Sequence, residues 1–477
     1  MFFQKSVLFY GRLNVLETKK NPHILKKNTP FQLKQKFYSI IKKVYHINMK
    51  AKQIIFLATS AFFLTLATSC SKKSGQNKIT LTLFSNLPDR VFGQGGLEQK
   101  IIDNYTTLHP EIEIKVETLN EAAYKTKFKA YCQEQLPDIV SIWGQKAFLE
   151  EAVGAGLLAE LNEDDYADYD FFPGSLDGFT YNGKLYGLPR NTDIALLFYN
   201  EKMFYDYRWK VPATWDELLT FADEVNSHAV APISIDGGDG WPLMIFFSDI
   251  LYSFTGSEYE TVVDNAISKK DFSDPRIKKA LEYFVSATKR NLFQEGFERD
   301  DYGTAQNIFL SGKAAMYYIG SWETSMFVNK EYGGGYSESN IRITKLPTFE
   351  NAAKDKNSIL GWYGGGYAIS EGSKHKKEAL DFFNYMFRKE NLSKIGLEQS
   401  VGISAQDESE YLNDDIPFGI QQLVKIAGND TQLSGSPVND RGDALFKEVC
   451  EKNIQKLAVN QITIEEFIQI LEKESSY

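Results

Sequence analysis

The chain reads as an α/β protein of two lobes, each a doubly wound, mostly parallel sheet with helices on both faces. Three observations carry this. Runs of strand length alternate with helical stretches across short loops, the layout of βαβ units. About 400 residues follow an N-terminal apolar segment, more than one hydrophobic core ordinarily serves. Glycine-flanked aromatic residues recur where strands end, and doubly wound sheets hold ligands beyond the carboxyl ends of their strands.

The elements follow in order. Ile79 to Phe84 predicts a first strand, Leu97 to Leu108 lies in a helix, and Ile112 to Val116 alternates as a second strand. Asp138 to Trp143 predicts a third strand ending at Gly144, and Ala147 to Leu158 places apolar residues at helical spacing. Asn182-Gly183 is a hairpin signal, followed by a strand over Leu185 to Pro189 that the proline terminates. Ile194 to Tyr199 is an unbroken apolar run, as expected of a strand covered on both faces. Between these strands stands Arg190-Asn191-Thr192-Asp193, an odd place for charge unless something binds there. Thr214 and Glu217 form a capping box that opens a helix, with Pro212 just upstream. No tandem repeat or low-complexity stretch appears.

The N-terminus bears on location. From Met49, Lys50 and Lys52 precede an apolar core from Ile54 to Leu66, then Ala67, Thr68, Ser69 and Cys70. Basic, apolar and then small residues form a secretory signal layout, too short for an ordinary membrane span. A cysteine after the small residues, followed by the polar stretch Ser71 to Lys78, resembles a bacterial lipobox, although Ala67 stands where leucine is preferred. That resemblance implies lipid attachment at Cys70; an incidental cysteine or an uncleaved anchor are the alternatives. Residues 1–48 are basic and fit no such scheme, so they are read as a disordered upstream artefact of start assignment, 49–69 as the lipoprotein signal peptide and 70–78 as a linker.

The whole chain has net charge −10. Residues 1–69 hold 12 basic side chains and one acidic, which leaves 41 basic and 62 acidic beyond them, a net charge of −21. Such acidity argues against nucleic acid and against basic-patch membrane binding. Cys132 and Cys450 permit one disulfide and require none; both read as small buried hydrophobes. His109, His228 and His375 are too scattered to suggest a metal site, and no cofactor is expected.

Further motifs carry a resemblance. Gly183-Lys184-Leu185-Tyr186-Gly187-Leu188-Pro189 leads to Tyr199-Asn200 and Phe204, then to Pro212 and Thr214-Trp215-Asp216-Glu217-Leu218. Leu136-Pro137-Asp138-Ile139 with Trp143 precedes Gly154-Ala155-Gly156-Leu157-Leu158. Phe309, Gly312-Lys313-Ala314-Ala315-Met316 and Gly320-Ser321-Trp322 come later, then Leu346-Pro347-Thr348-Phe349, Gly364-Gly365-Gly366 and Glu378-Ala379-Leu380-Asp381-Phe382. In this order the series resembles the bacterial extracellular solute-binding proteins of ABC importers, in the carbohydrate-binding branch that includes maltodextrin-binding proteins, over nearly all of residues 78–450.

The resemblance implies a periplasmic-binding-protein-like fold whose lobes are joined by crossover hinge segments and close on a ligand. The boundaries it suggests are 79–190 and 347–406 for the first lobe, 191–346 for the second, and 407–477 as a helical return onto the second. It also implies a monomer that takes a sugar or oligosaccharide to ABC permease subunits, touching the membrane only through its lipid, on the extracytoplasmic (periplasmic) face.

Four of the six tryptophans lie in glycine-flanked turns: Trp143, Trp241, Trp322 and Trp362. A flat ring at a strand end can lie on the apolar face of a pyranose, while carboxylates bond its hydroxyls. Trp143, Asp193, Trp241 and Trp322 fall on or near positions where the family places ligand contacts, and Gly364 and Gly365 on its close backbone approach. Asp193 either contacts ligand or forms a hinge salt bridge to Arg190. Asp239 and Glu323 either join the ligand or are solvated. Of Trp362 and Tyr363, one is expected to face ligand and one the core, whereas Trp209 and Trp215 read as structural. The rival classes are a secreted carbohydrate-active hydrolase, a sensor or adhesion lipoprotein, and a binder of a non-sugar solute. No G-x-S-x-G, P-loop, H-E-x-x-H or C-x-x-C supports an enzyme.

Overall fold

The computed structural model describes residues 78–327, 340–428 and 431–474. The upstream segment, the signal peptide, Cys70 and nearly all of the linker lie outside the described residues. No helix among the described residues is long and apolar enough to cross a membrane.

The first lobe begins as the alternating pattern predicts. Strand β1 (Ile79–Ser85), helix α1 (Gly93–Leu108), β2 (Ile112–Thr118), α2 (Glu121–Gln133), β3 (Ile139–Trp143) and α3 (Lys146–Gly154) follow one another. β1 pairs in parallel with both β2 and β3. Two strands from elsewhere complete the sheet: β4 (Leu188–Pro189) and, late in the chain, β10 (Gly365–Ile369), giving the order β2-β1-β3-β10-β4. β10 runs antiparallel to both neighbours. Leu81, Leu83, Ile101, Ile139 and Ile369 meet Phe382 and Phe383 of α8 (Lys376–Phe387) in this lobe's core. Each such side chain contributes roughly 1.5–3 kcal/mol by leaving water.

β5 (Asp193–Asn200) carries the chain into the second lobe. There it is joined by β6 (Ala231–Ser234), β7 (Ala314–Gly320), β8 (Ile341–Thr344) and β9 (Gly361–Trp362). The order is β8-β5-β7-β6, with β9 also on β5. Around it pack α4 (Trp215–Asn226), α5 (Trp241–Thr255), α6 (Pro275–Lys289), α7 (Tyr302–Leu310), α9 (Phe418–Ile426), α10 (Ala444–Ala458) and α11 (Ile464–Glu474). Every residue of α5 from Pro242 onward is buried, as an almost wholly apolar helix requires. Within this core the Lys354 ammonium stands 3.1 Å from the Asp249 carboxylate, which is only 1% exposed.

The two-lobed α/β architecture matches the expectation; several details differ. The second sheet is mostly antiparallel: β5 opposes β7, β8 and β9, and only β6 and β7 run in parallel. β5 arrives from the other lobe and not through a local βαβ crossover, so its direction is set by the crossing. The Thr214 capping box forms as read, with Glu217 accepting from the Thr214 backbone N–H in return. Asn182 and Gly183 take φ of 51° and 75°, the left-handed pair of a type I′ hairpin turn. The predicted strand over Leu185 to Pro189 is broken: Lys184–Leu185 pairs with Thr180–Tyr181, and Leu188–Pro189 pairs with β10. Helix α3 stops at Gly154, short of Leu158, where Gly156 turns left-handed at φ 68°. Finally, Gly361 and Trp362 still pair with β5, so the return to the first sheet falls between Trp362 and Gly365, not near residue 346.

Candidate functional site

The crossings meet at the carboxyl end of β3. Trp143, its last residue, lies opposite Gly365 of β10, and the next amide, Gly144, donates to the Gly364 carbonyl at 2.8 Å. The Arg190 backbone N–H donates to the Gly365 carbonyl at 2.8 Å, and Trp362 lies opposite Asp193. Trp143, Arg190, Asn191, Asp193, Trp362, Gly364 and Gly365 therefore converge. Both glycines are needed for the close approach. A Cβ at Gly364 would stand 2.5 Å from Asp193 Oδ2 and Trp362 Nε1, and one at Gly365 would stand 2.8 Å from Arg190 Nη2.

Three indoles gather on the second lobe's side. Trp322, directly after β7, has its ring centroid 5.8 Å from that of Trp241 and 6.2 Å from that of Trp362; Tyr302 extends the row, 6.2 Å from Trp241. Trp241 opens α5, Trp322 lies in the helical turn after β7, and both are partly exposed while Trp362 is buried. Trp143 makes no ring contact with this group. It packs instead with Phe148 at 4.9 Å and Tyr124 at 5.8 Å, and the Lys125 ammonium stands 5.5 Å from its ring. From the other lobe, Lys447 of α10 places its ammonium 5.3 Å from Phe148. Aromatic surface thus stands on both lobes.

Residues 100–408 match the family model described as bacterial extracellular solute-binding protein. The chain belongs to that family. Among curated relatives, the multiple sugar-binding protein of Streptococcus mutans is 24% identical over 394 residues, 80% of this chain and 88% of the relative. The galactooligosaccharide-binding protein of Bacillus subtilis is 23% identical over 372 residues, 75% and 82% of the two chains. A solved structure from work on xylan utilization by Caldanaerobius polysaccharolyticus superposes with TM-score 0.75 at 25% identity, covering 83% of this chain and all of the other. A chitin oligosaccharide binding protein superposes with TM-score 0.72 at 22% identity, covering 83% and 98%.

The electrostatics of this solute-binding protein concentrate at the crossings. Burial pushes the Asp193 carboxyl up to about 7, against the opposing pull of Arg190 and of hydrogen bonds from the Gly365 backbone and the Asn191 amide. Asp193 and Arg190 form no ion pair, so the hinge salt bridge is not what the structure contains. Arg190 is buried with Nε and Nη1 lacking any hydrogen-bond partner. Gln145 Oε1, Ser141 Oγ and Asn191 Oδ1 are likewise buried without partners. Orphaned polar atoms cost free energy, and those of Arg190, Asn191 and Gln145, just past the ends of β4 and β3, are what a ligand rich in hydroxyls would repair. Nearby, burial works against the charge of Glu121, but Lys125, Lys447 and Arg190 outweigh it and hold that carboxyl below its ordinary range.

Of the residues singled out from sequence, Asp193, Trp143, Trp362, Gly364 and Gly365 meet at the crossing, with Trp241 and Trp322 joined to them through Trp362. Asp239 is exposed, in the turn that leads into Trp241, and its backbone N–H donates to Asp236 at 2.9 Å. Asp236 itself is fully buried with Oδ2 unpartnered; burial, then Asp239 and Asp301, drive its carboxyl above the usual range. Sequence reading passed it over, although the Gly237-Gly238 pair after strand β6 marks a site of close approach. Gln145, just past the end of β3, and Ser141, in the middle of that strand, carried no signal of their own. Tyr363 is half-buried, its phenol pushed up to about 12 by burial. Trp209 and Trp215 are core residues as read, Trp215 stacking on Phe349 at 4.7 Å. Cys132 and Cys450 are free, Cys450 buried and Cys132 only partly so.

Glu323 is buried, not solvated, and accepts a hydrogen bond from the Gln306 amide at 2.6 Å. Burial raises its carboxyl from 4.5 to about 8. Such a group favours the folded chain while protonated, fully below pH 4.5, and that contribution is lost as pH rises through 8. Glu323→Gln is therefore expected to lose less Tm than the parent between pH 5 and pH 8.5. Equal losses in thermal melts would exclude this role for Glu323.

Proposed function

We propose that this protein captures a sugar or oligosaccharide between its lobes and delivers it, unaltered, to an ABC permease outside the cytoplasm. The observation that carries this reading is the row Trp241–Trp322–Trp362 set beside unpartnered buried polar groups at the point where the lobes join. Indoles offer flat apolar faces to pyranose C–H groups, while the Asn191 and Gln145 amides, the Arg190 guanidinium and the Asp193 carboxyl offer donors and acceptors to hydroxyls. A ligand touching both lobes binds the closed form better than the open one, and this differential affinity shifts the population toward closure. The sugar-binding relatives support the same class. Anchoring through a lipidated Cys70 and a monomeric state complete the proposal.

The test is a thermal-shift screen against mono- and oligosaccharides, followed by calorimetry and recovery of the ligand. A saccharide-specific rise in Tm with intact sugar recovered is expected. Hydrolysed sugar would favour the hydrolase class, and shifts only with non-sugar solutes would remove the saccharide assignment.

A further inference from the structure

We propose a second ligand site, for a small organic ammonium ion, in a cavity on the crossing segment after Ile403. The cavity has a volume of about 600 Å³ and is lined by Phe172, Ile403, Leu412, Phe418, Glu408 and Gln422 among others. None of the indoles of the saccharide site takes part in it.

Its polar chemistry is one-sided. The Glu408 residue is only 4% exposed, and its carboxylate receives a single long hydrogen bond, from the Ser404 backbone N–H at 3.4 Å. Gln422 Oε1 is buried with no partner at all. Both groups are acceptors, so an occupant has to donate. A buried carboxylate without a counterion is costly, and the cost is relieved by a cation or by a proton. In the empty cavity a proton serves: burial, reinforced by Asp407, holds the Glu408 acid at about 8. Lys425 also lines the cavity but is exposed and makes no ion pair with Glu408. Ser404, Asp407, Ser409 and Gln421 add polar groups to the lining, while Phe172, Ile403, Leu412, Phe418 and Val424 form an apolar wall that suits a carbon body better than a hydrated inorganic ion. A buried carboxylate facing such a wall specifies an amine of monocyclic size.

The location joins this cavity to the crossings. The Ile403 and Ser404 carbonyls accept from the Thr192 backbone N–H at 2.9 Å and from Thr192 Oγ1 at 2.8 Å, and Thr192 is the residue next to Asp193.

Calorimetric titration of the full chain at pH 8 with benzylammonium chloride, benzyl alcohol and sodium benzoate tests the proposal. Saturable one-to-one binding of benzylammonium is expected, with the alcohol and the benzoate weaker by about tenfold or more, the equivalent of 1.4 kcal/mol. Glu408→Gln should weaken benzylammonium by a similar factor and leave saccharide binding in place. Phe418→Ser, at a side chain already 59% exposed, should also weaken the amine without touching the fold. No saturable heat from benzylammonium in the millimolar range, equal binding of alcohol and ammonium, or undiminished binding by either variant would overturn it. Saccharide affinity reads out separately, so failure here leaves the main site untouched.

Discussion

Replacing Trp322 by alanine is expected to weaken saccharide binding by about 1 to 3 kcal/mol, the scale of a central aromatic anchor. Trp322 is the middle ring of the row, with Trp241 on one side and Trp362 on the other, and it is partly exposed whereas Trp362 is buried. Its removal takes away apolar surface and loosens the two rings beside it, so the loss should exceed that of Trp241→Ala. The fold should survive, because the ring lies at the border of two hydrophobic clusters and in the interior of neither. Calorimetry with the saccharide found by screening gives the number. A dissociation constant equal to the parent's, with an unchanged melting profile, would take Trp322 out of the site.

Lys354→Met is expected to cost about 3–5 kcal/mol of stability, the consequence of leaving a buried carboxylate without its partner. Asp249 sits inside helix α5, and beyond Lys354 it takes one further hydrogen bond, from the Tyr318 hydroxyl at 3.2 Å. The Asp249 side chain is only 1% exposed, and Lys354, at 12%, lies between it and solvent. The contrast is the pair Lys377–Asp381, one helical turn apart with side chains 82% and 53% exposed, whose disruption should cost at most about 0.5 kcal/mol. Urea unfolding at neutral pH distinguishes the two cases, and a Lys354→Met, Asp249→Leu double variant should recover much of the loss. Equal midpoints for Lys354→Met and Lys377→Met would show that the buried pair is not coupled as its geometry requires.

The first lobe was legible because its signals are local. Alternation over Ile112 to Val116, glycine at Gly144 and the type I′ pair Asn182-Gly183 each act within a few residues. The second lobe's sheet was harder, since β5 is an apolar run whose partners come from residues 314–320, 341–344 and 361–362, and strand direction is not written in hydrophobicity. The site divides along the same line. Tryptophans beside glycines advertised themselves by size and unusual company. Asp236, Gln145 and Ser141 did not, because what distinguishes them is burial without a partner, and that arises only when distant segments meet. Of the two readings of Asp193, the salt bridge to Arg190 is the one the structure does not contain, and for a related reason: nearness in sequence to Arg190 says nothing about where either side chain points.

One consequence follows from the way β5 serves both as the exit from the first lobe and as the middle strand of the second. Only three residues, Arg190, Asn191 and Thr192, separate Pro189 of β4 from Asp193 of β5, and only two, Tyr363 and Gly364, separate Trp362 from Gly365. Ser321 Oγ donates to the Thr192 carbonyl at 2.9 Å and accepts from the Ile194 N–H at 3.1 Å, fastening the row of the indoles to the same short span. A swing of one half against the other therefore has few torsions to draw on, and the ring of Trp322 rides on the axle itself.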